Sequence, residues 1–169
     1  MRMTRLIPAA FALLPFASLA DTCPWLGADT ASQVILAAKP VVTHQKNPVF
    51  ANSKGLVAST TCRFQEPGEL VGQLAVIVME FSSYDTATAA YQKELKDHGT
   101  RARPAKIGAD PAFFTHDTGF SSASFAVKGK QLVFVNHVLG RKVKDAMQKD
   151  PDGAVLSTHE VARRVLEKL

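Results

Sequence analysis

The sequence predicts an α+β domain in which helices pack on a mostly antiparallel sheet. Three observations point to this class: several short segments are rich in β-favouring residues, tight turns join some of them as hairpins, and other segments have helical spacing of apolar residues. The predicted order is α-β-β-β-α-β-β-β-α. Because hairpins outnumber βαβ crossovers in this order, antiparallel pairing is favoured.

The first predicted elements are a short helix and a short strand. Residues 29–38 carry apolar side chains at i, i+3, i+4 and i+7, which is the spacing of an amphipathic helix. Asp29 or Thr30 is expected to cap this helix, and Pro40 to stop it. Residues 41–44 follow as a short strand.

A long hairpin is expected next. Residues 56–65 alternate between apolar and polar side chains, and residues 70–81 form the longest β-type run of the chain. The Glu-Pro-Gly-Glu sequence at residues 66–69 has the chemistry of a tight turn. We expect this hairpin to lie at the centre of the sheet.

The middle of the chain predicts a second helix. Residues 86–98 follow Asp85, a suitable N-cap, and precede Gly99, a suitable stop. The apolar face of this helix consists of residues four apart: Ala87, Tyr91 and Leu95. Residues 101–106 are interpreted as a polar connection.

The second half predicts three more strands and a final helix. Residues 112–116 form a strand, and residues 122–127 and 131–139 form a hairpin whose turn contains a glycine. Residues 141–153 are interpreted as a charged excursion. Ser157 and Glu160 then have capping-box spacing. The apolar face of the last helix would be Val161, Val165, Leu166 and Leu169.

The N-terminal residues 1–20 resemble a secretory signal peptide. Arg2 and Arg5 precede an apolar run over residues 6–16, and Ser-Leu-Ala before Asp21 is a small-x-small cleavage site. We expect cleavage before Asp21, which leaves residues 21–169 as a single domain in the periplasm or outside the cell.

A membrane anchor is the alternative interpretation of the leader, and it is disfavoured. Its apolar run is shorter than the ~20 residues of a spanning helix and contains Pro8 and Pro15. Cys23 does not directly follow a lipobox-type triplet, so lipid attachment is not expected either. The sequence therefore predicts no stable membrane anchor after cleavage.

Two cysteines, Cys23 and Cys62, are present in the chain. An exported protein meets an oxidising compartment, so we expect them to form one structural disulfide. The alternative, a redox-active or metal-binding pair, is disfavoured because active dithiols favour Cys-x-x-Cys spacing and structural zinc needs four ligands.

Charge and composition exclude some classes of partner. Hydrophobic residues make up 46% of the chain, enough for a globular core. The formal net charge is +5, with 20 Lys and Arg interleaved with 15 Asp and Glu. A nucleic-acid partner is not expected, because such a protein would cluster many more cations on one face.

Motifs for catalysis or cofactor binding are missing from the sequence. The five histidines never occur as His-x-His or His-Glu-x-x-His, so neither a metal nor another cofactor is predicted. Residues 119–123 resemble a nucleophile elbow, but a strand follows where that motif needs a helix. His116, beside Asp117, and His137 are the histidines that a cleft could unite, as ligands or as a base; the alternative is a structural role for both.

Phenylalanines crowd the second half of the chain, and most of them are expected in the core. An exposed member would mark a partner surface or an apolar pocket. The candidate binding residues are two histidines and two phenylalanines: His116, His137, Phe114 and Phe120.

Several short motifs resemble a loose family of small exported lipoproteins and kinase sensor domains. The shared motifs are Cys-Pro-Trp-Leu at residues 23–26, Cys-Arg-Phe at 62–64, Gly-Ala-Asp-Pro-Ala at 108–112, a Lys-Gly turn before a Val-rich strand at 127–133, and a Val-Ala helix at 161–169. The resemblance implies a layered antiparallel sheet with helices and a non-enzymatic binding or sensing role. It carries no catalytic residues.

Three functions remain open from the sequence. The first is an exported, non-catalytic binding or sensing domain for a protein partner or a small apolar ligand. The second is a periplasmic immunity or inhibitor protein that blocks a toxin or hydrolase. The third is a hydrolase that uses His116 or His137 with a serine or carboxylate.

Overall fold

A computed structural model of the chain describes residues 23–46, 54–68, 72–107, 110–117, 120–149 and 157–169. It contains a seven-stranded antiparallel sheet in the order β1-β2-β3-β7-β6-β5-β4. The strands are β1 Val41–Lys46, β2 Leu56–Gln65, β3 Gln73–Phe81, β4 Ala102–Ile107, β5 Asp110–Asp117, β6 Ser121–Lys128 and β7 Gln131–Val138. The helices are α1 Ala28–Ile35, α2 Tyr84–His98, α3 Arg141–Lys149 and α4 Thr158–Glu167, with a 3-10 turn at Gly99–Arg101.

The predicted α+β class and the predicted order of elements are confirmed, with one strand and one helix added. The strand β4 occupies the segment interpreted as a polar connection. It contains Pro104, which an edge strand tolerates because its backbone nitrogen need not join the ladder. The helix α3 occupies the charged excursion; its residues are mostly good helix formers, and Val143 is its buried anchor.

Two antiparallel meanders meet in the middle of the sheet. The first consists of β1 to β3 and the second of β4 to β7, and they join where β3 pairs with β7. Val76 lies opposite Val135 in this central pair. The predicted β2–β3 hairpin therefore lies next to the central strand, with β3 in the third position of seven.

One side of the sheet, which we call the two-helix face, carries Val76, Val133 and Val135 under α1 and α4. These valines are fully buried, and Val161 and Val165 of α4 complete the same core. The disulfide between Cys23 and Cys62 lies on this face, with the two Cα atoms 5.6 Å apart. It ties the segment before α1 to β2.

Two polar contacts hold α4 on the two-helix face. The hydroxyls of Ser124 and Thr158 are 3.0 Å apart and buried. At the other end of the helix, Lys128 Nζ donates to the carbonyl of Leu166 over 2.7 Å. That carbonyl belongs to the last turn, where helix oxygens lack internal partners and attract a cation.

The opposite side, which we call the one-helix face, carries α2 alone among the described helices. Ala87 and Tyr91 of this helix pack over Phe81 and Phe113. Phe113, Phe125 and Phe134 lie side by side on β5, β6 and β7, with ring centroids 4.5 Å and 4.4 Å apart and nearly parallel planes. Phe113 and Phe125 are therefore core residues, as expected, and the partly buried Phe134 packs against them.

Helix ends differ from the sequence predictions at two of three N-termini. Ser83, and not Asp85, caps α2, in a capping box with Thr86. Gly27 precedes α1 without a side-chain cap, so neither Asp29 nor Thr30 has that role. Ser157 accepts from the backbone N–H of Glu160, as predicted. Ser83, two residues before Asp85, is the better cap because the side chain of its partner, Thr86, accepts a bond from the Ser83 backbone N–H in return.

The predicted leader, residues 1–20, lies outside the described residues, and its cleavage stays a prediction. Among the helices that the structure does describe, none is long and apolar enough to cross a membrane.

Candidate functional site

The candidate site lies where α2 stops before reaching the end of the one-helix face. The helix ends at His98, and Gly99, with a φ of 53°, turns the chain into the 3-10 turn and β4. Glycine adopts this left-handed backbone without steric cost. The strands continue beyond this point, so none of the described helices lies above this part of the face.

This uncovered part, which we call the open half, follows one row of the sheet register. Arg63 pairs with Ala75, Ala75 with Asn136, Asn136 with Ala123, and Ala123 with Thr115. Thr43 of β1 extends the row beyond Arg63. Because these side chains are small or polar, the row forms a shallow floor. The neighbouring row on the same face contains Phe113, Phe125 and Phe134 and forms a core.

A cleft of about 110 Å³ lies on the open half beside the end of α2. Its lining residues come from α2, the 3-10 turn and three strands: His98, Arg101, Thr115, Ser121, Ala123, Phe134 and Asn136. Small-ligand sites combine apolar side chains with a few convergent polar groups. This lining contributes one aromatic ring, one alanine and five polar or charged side chains, so the cleft offers a small group one aromatic surface and several hydrogen bonds.

His98 forms one wall of the cleft. Its ring lies 5.3 Å from that of Phe125 and 5.8 Å from that of Phe113, measured between centroids. Its Nδ1 is buried and has no hydrogen-bond partner among the described residues. Phe134, the partly exposed end of the aromatic row, forms the adjoining floor.

A second depression, of about 280 Å³, lies at the β1 edge of the sheet. It is lined by Thr43, His44, Gln45, Thr61 and Arg63. Thr61 is 1% exposed, and its hydroxyl oxygen has no hydrogen-bond partner among the described residues. Ala75 of β3 lies between this depression and the cleft in the register.

A larger depression, of about 500 Å³, lies on the other side of α2. Its lining includes Phe81, Ala89 and Lys93 of the hairpin and helix, together with Lys54. Lys54 directly follows residues 47–53, which lie outside the described part of the chain. The shape of this depression therefore carries no argument about a ligand.

His137, a predicted candidate, lies in the core and not on the open half. It is 2% exposed, and burial lowers the pKa of its imidazole from 6.5 to about 4. Register places it between Leu74 and Ser122, on the two-helix face. Its Nε2 has no hydrogen-bond partner in the described structure.

Of the other three candidates, one shares a row of the sheet with His137. His116 pairs with Ser122, and Ser122 pairs in turn with His137, so the backbone ladder places a serine between the two candidate histidines. The side chain of His116 lies outside the described part of the structure. Phe114 is half-buried near His159, with ring centroids 6.3 Å apart. Phe120 is 73% exposed, and Lys144 Nζ lies 4.8 Å from its ring centroid. None of these described positions lines the cleft.

Sequence reasoning missed His98, Arg101 and Asn136 as lining residues. The sequence places His98 at the end of the predicted second helix and Arg101 in the predicted connection. Their place in the cleft depends on where α2 ends above the strands of the sheet. Asn136, a polar residue in an otherwise apolar strand, was the one signal in the sequence.

No group of three or more His, Cys, Asp or Glu that could hold a metal ion occurs among the described residues. The cleft lining contains one histidine and no carboxylate or thiol. Its chemistry is that of hydrogen bonding and apolar contact.

Comparisons with known proteins give a fold and no family. No family model matches the sequence, and no curated protein matches it. A solved structure that is similar is the crystal structure of the extracellular domain of PknH from Mycobacterium tuberculosis, at 14% sequence identity and a TM-score of 0.51. The match covers 86% of this chain and 92% of that chain. The chain thus shares its overall fold with an extracellular domain.

Proposed function

We propose that this chain is an exported, non-catalytic domain that binds a small, largely apolar ligand in the cleft at the end of α2. The observation that carries the proposal is the open half of the one-helix face, where Phe134 is accessible beside Asn136 and Thr115. An accessible ring in a soluble domain is stabilised when a ligand covers it. The neighbouring amide and hydroxyl groups orient that ligand.

Binding without turnover is the better interpretation of this lining. Acyl transfer and hydrolysis need a nucleophile, a proton carrier and an electrostatic stabiliser held together. Ser121 and His98 both line the cleft, but no hydrogen bond joins them among the described residues. A hydrolase that used Ser121 and His98 of this cleft, in place of the His116 or His137 considered from the sequence, would show esterase activity that Ser121→Ala abolishes, and a p-nitrophenyl acetate assay of both proteins tests it.

The binding proposal is tested by titrating ¹⁵N-labelled residues 21–169 with benzyl alcohol, cyclohexanol and benzamide. We expect saturable shifts in the backbone amides of Thr115, Ala123 and Asn136. Ala123→Leu fills the floor of the cleft and should weaken binding at least tenfold. Ala89→Leu places the same extra volume on the exposed side of α2 and is the matched control.

Two outcomes would contradict the binding proposal. If none of the probes shifts the cleft amides up to their solubility limit, the cleft is not a small-ligand site. If Ala123→Leu binds as wild type does, the probes lie elsewhere. A thermal melt of each variant confirms that the fold is retained.

Export is the second part of the proposal and has its own test. The order of charged, apolar and small residues in 1–20 predicts cleavage before Asp21. Intact-mass measurement of protein from the periplasm or medium should give the mass of residues 21–169. Recovery of a chain that retains Met1 would contradict it.

A protein partner is the second candidate, and Phe120 is the observation that favours it. It is the most exposed of the large hydrophobic side chains in the described structure. Aromatic side chains, Phe included, are enriched at protein interfaces. Phe120→Ser should then remove a partner that wild type retains, whereas Val57→Ser, also at an exposed apolar residue, should not. Equal retention by both variants would exclude Phe120 as the contact.

A further inference from the structure

The second depression, at the β1 edge, has a composition different from that of the cleft. Register places Thr43 opposite Arg63 and Gln45 opposite Thr61, so four side chains form a square patch across two strands. Directly paired residues have Cβ atoms roughly 5 Å apart. The patch is therefore about the size of one carboxylate or phosphate group.

Every member of this patch can donate a hydrogen bond. Arg63 offers its guanidinium, Gln45 its amide, and Thr43 and Thr61 their hydroxyls. No carboxylate lines the depression among the described residues. Arg63 is exposed and has no ion-pair partner in the described structure. The lining therefore carries a positive charge that no described side chain neutralises.

One buried polar atom in the same lining lacks a partner. The hydroxyl of Thr61 is buried without a hydrogen bond among the described residues. A buried hydroxyl without a partner costs about 1–3 kcal/mol. His44 pairs with Cys62, and its side chain therefore belongs to the two-helix face and not to this patch. The unpartnered hydroxyl of Thr61 beside Arg63 indicates that a bound group supplies the missing bond.

We infer that Arg63, Thr61, Thr43 and Gln45 form an oxyanion-binding subsite that takes a carboxylate or a phosphate group. Arginine suits both groups because its planar fork forms paired hydrogen bonds with two oxygens. The subsite is separate from the cleft: Arg63 and Asn136 are two strands apart, about 10 Å at the usual strand spacing. Oxyanion binding at this subsite therefore does not require ligand binding in the cleft.

The test titrates ¹⁵N-labelled residues 21–169 with acetate and with inorganic phosphate, against sodium chloride at equal ionic strength. We expect saturable shifts of the Arg63 side-chain Nε–H and the Thr61 amide with at least one oxyanion and not with chloride. If acetate has the lower apparent Kd, the subsite is one for carboxylates; if phosphate has the lower apparent Kd, it is one for phosphate groups. Equal, unsaturable responses to all three salts would overturn the inference.

Variants separate a built subsite from general charge attraction. Arg63→Gln should weaken oxyanion binding at least tenfold, and Thr61→Val, which keeps the shape and removes the hydroxyl, about fivefold. Arg103→Gln is the matched control, because it removes the same charge from exposed β4 at the other edge of the sheet. If Arg103→Gln weakens binding as much as Arg63→Gln, the effect is one of net charge and the subsite does not exist.

A further pair of outcomes separates this inference from the proposed function. If benzyl alcohol binds at Ala123 while oxyanions do not bind at Arg63, the oxyanion inference is wrong and the proposed function is retained. If oxyanions bind at Arg63 while no neutral probe binds at Ala123, the proposed function is wrong and the oxyanion inference is retained.

Discussion

The two faces of the sheet are made from the same strands but have different roles. The two-helix face is closed by α1, α4 and a disulfide, and its central valines are fully buried. The one-helix face is closed only as far as α2 reaches, and beyond His98 it presents small and polar side chains. Burial of apolar area stabilises the domain on the first face. The open half of the second face is where a ligand can be reached.

The difference begins in adjacent residues of single strands. In β3, Leu74 is fully buried on the two-helix face, whereas its neighbour Gln73 is half-exposed on the other. In β7, Val135 is buried and Asn136 lines the cleft. Alternation along a strand thus allows one sequence segment to serve the core and the candidate site at once. Stability and binding should therefore be separable by mutation.

The largest expected effect is on the closed face, at the disulfide. Replacing both Cys23 and Cys62 with Ser removes a crosslink between residues 39 positions apart. The entropy regained by the unfolded chain should lower the free energy of unfolding by about 4 kcal/mol. Urea titration followed by circular dichroism measures this loss. A change below 1 kcal/mol would contradict the assignment of stability to this face.

The second effect compares neighbouring residues on the two faces. Leu74→Ala leaves a cavity among fully buried side chains and should cost about 3 kcal/mol of unfolding free energy. Gln73→Ala, one residue away on the open side, should change it by less than about 0.5 kcal/mol. Equal losses in the urea midpoint of the two variants would show that the one-helix face is as closed as the other.

The third effect is a pH dependence that His137 gives to the closed face. Burial lowers the pKa of His137 to about 4 in the folded chain, from 6.5. The unfolded chain therefore takes up the proton first as the pH falls. Stability is complete above pH 6.5 and is lost progressively down to about pH 4, by roughly 2 to 3 kcal/mol.

The variant His137→Gln isolates this pH dependence, because glutamine does not titrate. Its free energy of unfolding should vary less between pH 7 and pH 4.5 than that of wild type, whatever its absolute value. The pKa of Glu160 is lowered from 4.5 to about 2 by its hydrogen bond to Arg163, so the stability linked to this carboxylate is lost mainly below pH 4.5 and varies little between pH 7 and pH 4.5. An unchanged slope in the variant would show that His137 is accessible to protons in the folded state.

The smallest effect concerns the polar contact that fixes α4. Thr158→Val leaves the hydroxyl of Ser124 buried without its partner, which should cost about 1 to 2 kcal/mol. The double variant Ser124→Ala/Thr158→Val removes both polar groups and should recover part of that loss. A double-mutant cycle measured by urea denaturation gives the coupling. Additive losses would show that the two hydroxyls do not interact.

Much of the fold could be predicted from the sequence because periodicity reports burial directly. The apolar spacing in α1 and α4 predicted each helix and its buried face, and the β-type runs of β2, β3, β6 and β7 predicted those strands. The segments that were missed, β4 and α3, lack such a pattern. The strand β4 is a charged edge strand with a proline, and α3 buries Val143 alone of its fully described side chains. Segments with such weak local patterns take their structure from the strand or helix that packs beside them.

The candidate sites were harder to predict for a related reason. His137 and His116 were candidates because histidine is chemically versatile. His137, whose side chain the structure describes, lies in the core. The cleft instead combines His98, Arg101 and Asn136 from segments far apart in the chain. No local motif marks such a combination, since it depends on where α2 ends relative to the strands.

The sequence by itself determined the α+β class, the elements with strong periodicity and the identity of the two cysteines that meet. The class and the elements follow from short-range patterns of apolar residues. The disulfide follows because the chain has only two cysteines that could pair. The tertiary structure decided which face each helix covers, and therefore which polar side chains remain accessible. The physical reason is that a strand exposes both its faces until something packs on them. Whether Asn136 or His137 becomes accessible depends on the helices, and not on the strand that carries both residues.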